Sequence, residues 1–113
     1  MTPYKLTIRA DQDLADAYEY LYKLNPDAAL ALLHALKKRC TSLADMPGQG
    51  RQRNEFNKFV KVKGLRSAAE HNYTIFYRQT NYGVLIIRIL HHSRDVDQIF
   101  TPGSYSEQVV EQT

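Results

Sequence analysis

The chain has 113 residues, 43% of them hydrophobic and 24% charged, and a formal net charge of +3. That length holds one domain around a single core, and Cys40, the only cysteine, excludes an internal disulfide. No apolar run approaches membrane length, and the N-terminus lacks the charged, apolar and small regions of a secretory leader, so a cytoplasmic chain with no membrane partner is expected.

From Tyr4 to Ile8, Tyr4, Leu6 and Ile8 alternate with Lys5 and Thr7, the period-two pattern of a half-buried strand at or near a sheet edge. Asp11 or Asp13 is placed to cap a helix, because a short carboxylate accepts bonds from the free N–H groups of the first turn. Leu14, Ala17, Tyr18, Leu21 and Leu24 then recur at three and four residues as one apolar stripe. Pro26 cannot continue that helix but suits the first turn of the next, with Asn25 as its cap, so a helical hairpin is expected. The second stripe is Ala29, Leu32, Leu33, Leu36, Cys40 and Leu43. Cys40 lies on it and reads as a small core residue rather than a nucleophile. The run Lys37, Lys38, Arg39 is expected near the helix C-terminus, where the dipole favours cations, and Met46-Pro47-Gly48 stops the helix.

Residues 48–58 have the Gly, Asn and Gln content of a surface loop presenting Arg51 and Arg53, which either grip an acidic partner or pair locally with Glu55. From Phe59 the pattern returns to strand, with Val60 and Val62 on one face and Lys61 and Lys63 on the other. It continues through Leu65 and Arg66 past Gly64, a candidate bulge. Glu70-His71-Asn72 turns the chain into its central hairpin: Tyr73, Ile75 and Tyr77 alternate with Thr74, Phe76 and Arg78, and Val84 to Leu90 is an almost unbroken aliphatic run suited to a mid-sheet strand covered on both faces. Asn81-Tyr82-Gly83 supplies the turn between them. Arg94 to Phe100 forms a last helical turn or short strand, and residues 101–113 are expected as a flexible tail beyond a single domain over residues 1–100. The order β-α-α-β-β-β places an N-terminal strand and helical hairpin against a small antiparallel sheet, an α+β fold.

Charge is unevenly distributed. Residues 37–94 carry twelve Lys/Arg against three Asp/Glu, whereas residues 95–113 carry four acids and no Lys/Arg. The basic block is either the footprint of an acidic partner or a solvated sheet face. No nucleophile with a base, phosphate-binding glycine loop or metal-ligand spacing is present, and the adjacent His91 and His92 point to opposite faces of a strand and cannot share one metal. No metal and no cofactor are therefore expected. What remains is the cationic set Lys61, Lys63, Arg66, Arg78, Arg88 and Arg94, which can bind phosphates or stabilise a phosphorane-like transition state. Of these, Arg88 reads best as a residue snorkelling from the core.

Several stretches, in order, resemble the ParE toxins of the ParE/RelE toxin–antitoxin superfamily: ADQDLADAYEYL, LADMPGQGRQRNE with its Gly50-Arg51-x-Arg53-x-Glu55, GLRS at 64–67, NYTIFYR at 72–78 and IIRILHHSRD at 86–95. The likeness spans roughly residues 4–100. It implies a helical hairpin clasping a small sheet, and a toxin that poisons DNA gyrase and is neutralised by a ParD-like antitoxin whose extended C-terminal segment wraps it. Operator DNA would be reached only through the antitoxin.

RelE-like relatives instead cleave messenger RNA on the ribosome, and their strand lysines fall at Lys61 and Lys63, with Arg94 also matching. The chain departs from them at Thr74, where they carry an arginine, and at Phe100, near where they carry a C-terminal tyrosine. Thr74 cannot neutralise phosphate charge and Phe100 has no phenol to act on a ribose hydroxyl. The ParE-like, non-enzymatic reading is therefore preferred, with an endoribonuclease using Lys61, Lys63 and Arg94 as the alternative, and a binding module without toxicity as a third class. Tyr18, Tyr22, Arg51, Arg53, Arg66, Arg78 and Arg94 are the candidate residues for antitoxin or target binding. Exposed Tyr22 is the better aromatic candidate, and core packing is expected of Tyr18.

Overall fold

The computed structural model describes residues 3–56, 64–100 and 104–110. Strand β1 (Tyr4–Leu6) leads into α1 (Ile8–Tyr22) and α2 (Pro26–Asp45), followed by β2 (Arg51–Gln52), β3 (Arg66–Glu70), β4 (Tyr73–Gln79), β5 (Val84–His91) and α3 (Val96–Ile99). The strands form one five-stranded sheet in the order β1-β5-β4-β3-β2. The strands β2 to β5 are antiparallel, as expected, but β1 runs parallel to β5, so the sheet is mixed. Parallel pairing follows from the helical hairpin, which carries the chain across the sheet between β1 and the strands that follow.

The α1 N-cap is Thr7, not Asp11 or Asp13. Its Oγ1 accepts the Ala10 N–H at 3.0 Å and donates to the Ile87 carbonyl at 2.7 Å, so one buried hydroxyl both caps the helix and ties it to β5. Asp11 falls in the first turn, and Leu24, expected on the stripe, lies beyond the helix end and is exposed. Helix α2 begins as its sequence requires, with Asn25 Oδ1 accepting the Ala28 N–H at 3.1 Å and Pro26 in the first turn. It extends to Asp45, so the run Lys37, Lys38, Arg39 precedes its last turn, which contains no basic residue.

Two apolar clusters cover the two sheet faces. On the helix side, Leu14, Leu32, Leu36, Cys40 and Leu43 pack against Ile75, Tyr77, Val84, Ile86 and Ile89. On the other side, Phe76, Leu85, Ile87 and Leu90 are covered by Phe100, with Val96, Ile99, Tyr105 and Val109 around them. Burial on both faces is what the continuous run Val84 to Leu90 demands, at about 1.5–3 kcal/mol for each large side chain withdrawn from water. A register shift between Phe76 and Tyr77 brings Arg88 opposite Phe76 and Ile86 opposite Tyr77. The bulge re-aims Arg88.

His71, at φ 55°, forms the β3–β4 turn, and Gly83 closes the β4–β5 turn at φ 146°, where a side chain would run into the Pro3 carbonyl. The loop expected over 48–58 contains β2, and the strand expected from Phe59 falls largely outside the described residues, with β3 starting at Arg66.

Residues 104–110, within the expected tail, instead lie against the sheet. The Ile8 N–H donates to Gln108 O at 2.8 Å and the Val110 N–H to Leu6 O at 3.2 Å, with Thr7 and Val109 paired antiparallel. The alternation Tyr105, Glu107, Val109 suits this extended path.

Candidate functional site

The face opposite the helices gathers three of the chain's arginines, and each meets a carboxylate of the same chain. Arg53, beyond the end of β2, places its guanidinium 5.2 Å from the centre of the Phe76 ring, donates from Nε to Glu55 at 2.9 Å and reaches Ser67 Oγ at 3.1 Å. Arg78 forms a fork with Glu107, Nε at 3.0 Å from both carboxylate oxygens and a terminal nitrogen at 2.6 Å from one. Arg88 pairs with Asp13 through Nε at 2.8 Å and a terminal nitrogen at 3.0 Å, with both side chains nearly withdrawn from water at 12% and 11% exposure. Its role is thus a buried ion pair across two elements rather than a tip reaching for solvent. Asp13 also accepts the Ile89 N–H at 2.9 Å. That donor lies beyond the short β1 ladder, which ends at Ile86, so the carboxylate satisfies a strand edge that has no neighbour there.

Phe100 is buried to 1% exposure in this face, its ring 4.9 Å from Phe76 and 6.2 Å from Tyr105. The phenol of Tyr105 donates to Glu107. Burial, then the hydrogen bond to and the charge of Glu107, raise the Tyr105 pKa far above that of a free phenol. Burial also pushes the Glu107 carboxyl up, but the hydrogen bonds from Arg78 and Tyr105 and the Arg78 charge outweigh it and hold the group below the usual value. Chemically, this face has a fixed set of charges already neutralised and a phenol poorly suited to give up its proton at neutral pH.

A second polar node lies on the helix side of the sheet. The Tyr77 hydroxyl donates to Pro47 O at 2.7 Å and accepts the Gly50 N–H at 2.9 Å, anchoring the segment between α2 and β2. Arg66, directly across the ladder from Tyr77, donates to Gly50 O at 2.7 Å. Burial raises the Tyr77 pKa, opposed by the Gly50 hydrogen bond and the charges of Arg66 and Arg39.

The expected interaction residues therefore divide. Arg51, Arg53 and Arg66 lie along the β2–β3 edge but not on one face: Arg53 lies opposite the helices with Phe76, Arg66 lies on the helix side with Tyr77, and Arg51 is 75% exposed along its side chain and lies 3.8 Å from Glu55. Arg78 is next to them on β4 but bound to Glu107. Arg94 is exposed beyond the far end of β5, away from Arg78, because Tyr73 and His91 pair at that end and Arg78 and Leu85 at the other. Tyr18 and Tyr22 stack on the surface of α1 with ring centres 5.6 Å apart, Tyr18 half-buried and Tyr22 50% exposed. Lys61 and Lys63 lie outside the described residues.

With this geometry in place, the comparison with known families is direct: residues 4–96 match the sequence model of a family described as the ParE toxin of type II toxin-antitoxin system, parDE. The chain belongs to the ParE toxin family. Among solved structures, it is similar to a chain from the chromosomal ParDE TA system from P. aeruginosa, at 23% identity and a TM-score of 0.61, covering 78% of this chain and 92% of that one. At that identity the likeness concerns the fold. No curated protein sequence matches the chain.

For this member of the ParE toxin family, sequence reasoning missed Asp13, Tyr105 and Glu107. Asp13 was a candidate cap, and nothing in its neighbourhood indicates a partner 75 residues away. The period-two pattern of Tyr105, Glu107 and Val109 is the one signal that could have placed the last segment on the sheet. No helix among the described residues is long and apolar enough to cross a membrane, and the described residues hold no group of three or more potential metal ligands.

Proposed function

We propose that this ParE family toxin acts by binding rather than by cleavage, inhibiting DNA gyrase in the cytoplasm and being neutralised by a ParD-like antitoxin. The family supports the target and partner classes. The observation that carries the choice of binding over cleavage is Phe100, which is packed between Phe76 and Tyr105 at 1% exposure. A buried phenyl ring cannot orient or deprotonate a ribose hydroxyl. The nearby phenol, Tyr105, is held by Glu107, and Arg78 and Arg88 are held by Glu107 and Asp13. Arginines so neutralised offer little charge to a phosphorane-like transition state. Tyr22 and Arg51 remain exposed and are the side chains we assign to protein contact, as an aromatic anchor and a cation at its rim.

The test is controlled expression of the chain with and without a ParD-like antitoxin. Growth arrest with intact transcripts and rescue by the antitoxin supports the proposal. Arrest with transcripts cut at ribosomes, abolished by changing Lys61 and Lys63 to Ala, supports the endoribonuclease instead, and unimpaired growth without the antitoxin supports a binding module without toxicity.

A further inference from the structure

Residues 104–110 lie beyond residues 4–96, which match the family model, and are laid over the sheet as an addition to that domain. They cross it on the face opposite the helices. Glu107 meets Arg78 of β4, Tyr105 and Val109 pack over the cluster that contains Leu85 and Ile87 of β5, and Val109 pairs with Thr7 just beyond β1. Tyr105, Glu107 and Val109 alternate, so in an extended segment the three side chains turn to the sheet together.

The attachment is slight for what it covers. Phe76, Leu85, Ile87 and Phe100 beneath are at most 3% exposed, whereas none of residues 104–110 is buried. Two backbone hydrogen bonds, from the Ile8 N–H to Gln108 O at 2.8 Å and from the Val110 N–H to Leu6 O at 3.2 Å, tie the segment to the body, and Arg78 with Glu107 is its one ion pair among the described residues. A segment held by so few bonds opens at a lower free energy than the core beneath it. Opening leaves three features along one groove: the Arg78 guanidinium, the apolar surface around Phe100, and the Leu6 carbonyl with the Ile8 N–H at the outer edge of β1.

We propose that this groove is a binding surface for an extended acidic segment of a protein partner, and that residues 104–110 fill it in cis as a strap latched by Glu107. The strap itself shows the chemistry of the ligand: a carboxylate for the guanidinium fork, an aromatic residue two positions before it, an aliphatic one two positions after it, and main-chain pairing beside β1. The charge distribution fits, because all fifteen Lys and Arg lie in residues 1–94 while residues 95–113 carry four acids. A short tether holds the strap at an effective concentration that is roughly millimolar or higher. A partner therefore enters only by adding contacts that the strap lacks, and the strap excludes weak acidic ligands. This surface depends on neither the gyrase target nor the antitoxin proposed above.

The test uses the full-length chain, nitrogen-15 labelled. Native-state hydrogen exchange in increasing, sub-denaturing urea is expected to show the Ile8 and Val110 amides exchanging through an opening with little urea dependence, below the global unfolding that frees the slowest amides of β4. That measurement needs no variant. Exchange of Ile8 and Val110 only together with those β4 amides would make the segment part of the core and overturn the proposal. The capped peptide SYSEQVV, which copies residues 104–110, is then titrated into the parent chain, Glu107→Gln and Arg78→Gln. Both substitutions release the latch, and exchange at Ile8 and Val110 about tenfold faster is expected of each. Only Glu107→Gln keeps the guanidinium, so saturable shifts of the Ile8 amide are expected there. Binding about tenfold weaker or absent is expected in the parent chain, in Arg78→Gln, and for the same peptide with Gln in place of Glu. Equal binding by Glu107→Gln and Arg78→Gln, or no saturation in Glu107→Gln, would overturn the proposal. Concentration-dependent dimers of Glu107→Gln would give the groove to the segment of a second copy and overturn the assignment to a partner.

Discussion

Asp13 on α1 holds Arg88 on β5 by two hydrogen bonds, at 2.8 and 3.0 Å, and the same carboxylate accepts the Ile89 N–H at 2.9 Å. One side chain thereby fixes the helical hairpin to the central strand and satisfies an unpaired strand edge. Replacing Asp13 by Ala leaves a nearly buried guanidinium without its counter-charge, and a loss of about 3–5 kcal/mol in unfolding free energy is expected. Asp13→Asn keeps an acceptor for Ile89 and should lose less. Urea denaturation of the two variants, read by circular dichroism, checks both the size and the order.

The pair formed by Arg78 and Glu107 makes stability depend on pH. The folded Glu107 carboxyl is held below its usual 4.5. Its contribution is therefore fully present above that value and is lost as pH falls through the lower folded pKa. Glu107→Gln should be less stable than the parent chain at pH 7, by about 1.5–3 kcal/mol for a charge-assisted contact, and the gap should narrow toward pH 3. Equal gaps at both pH values would remove the carboxylate from this role.

Tyr77 anchors the segment after α2 through its hydroxyl, bonded to Pro47 O and the Gly50 N–H. Tyr77→Phe keeps the ring in the core and leaves both backbone groups without that partner. A cost of about 1–3 kcal/mol is expected, together with faster hydrogen exchange at the Gly50 amide. Unchanged exchange there would mean that the hydroxyl does not hold the segment.

Cys40 is 1% exposed, and burial pushes its thiol pKa up to about 12. Thiolate is the reactive form, so alkylation of the native chain by iodoacetamide at pH 8 should be slow and follow global unfolding. Rapid labelling under native conditions would contradict the core role assigned to this residue.

The elements legible in the sequence were those fixed by local chemistry. Asn25 and Pro26 mark the start of α2, Gly83 the hairpin turn, and the aliphatic run of β5 its burial on two faces. What was not legible depended on contacts distant in the chain. Thr7 was chosen over Asp11 and Asp13 as a cap because its hydroxyl also meets Ile87, 80 residues on. The destination of Arg88 was set by a bulge opposite Phe76, and the parallel direction of β1 by where the helical hairpin returns the chain. The excess of Lys and Arg over residues 37–94 is a property of the sequence, but where Arg53, Arg78 and Arg88 find their carboxylates is not. The pairing of Arg78 with Glu107 was hidden because the last segment looked too polar to order.

The central claim is that this toxin acts on DNA gyrase by binding, and a supercoiling assay tests it most directly. Purified chain, titrated into gyrase with relaxed plasmid, is predicted to inhibit supercoiling, and prior mixing with the antitoxin is predicted to restore it. Unaffected supercoiling and topoisomerase activity from a preparation that still arrests growth when expressed would contradict the account.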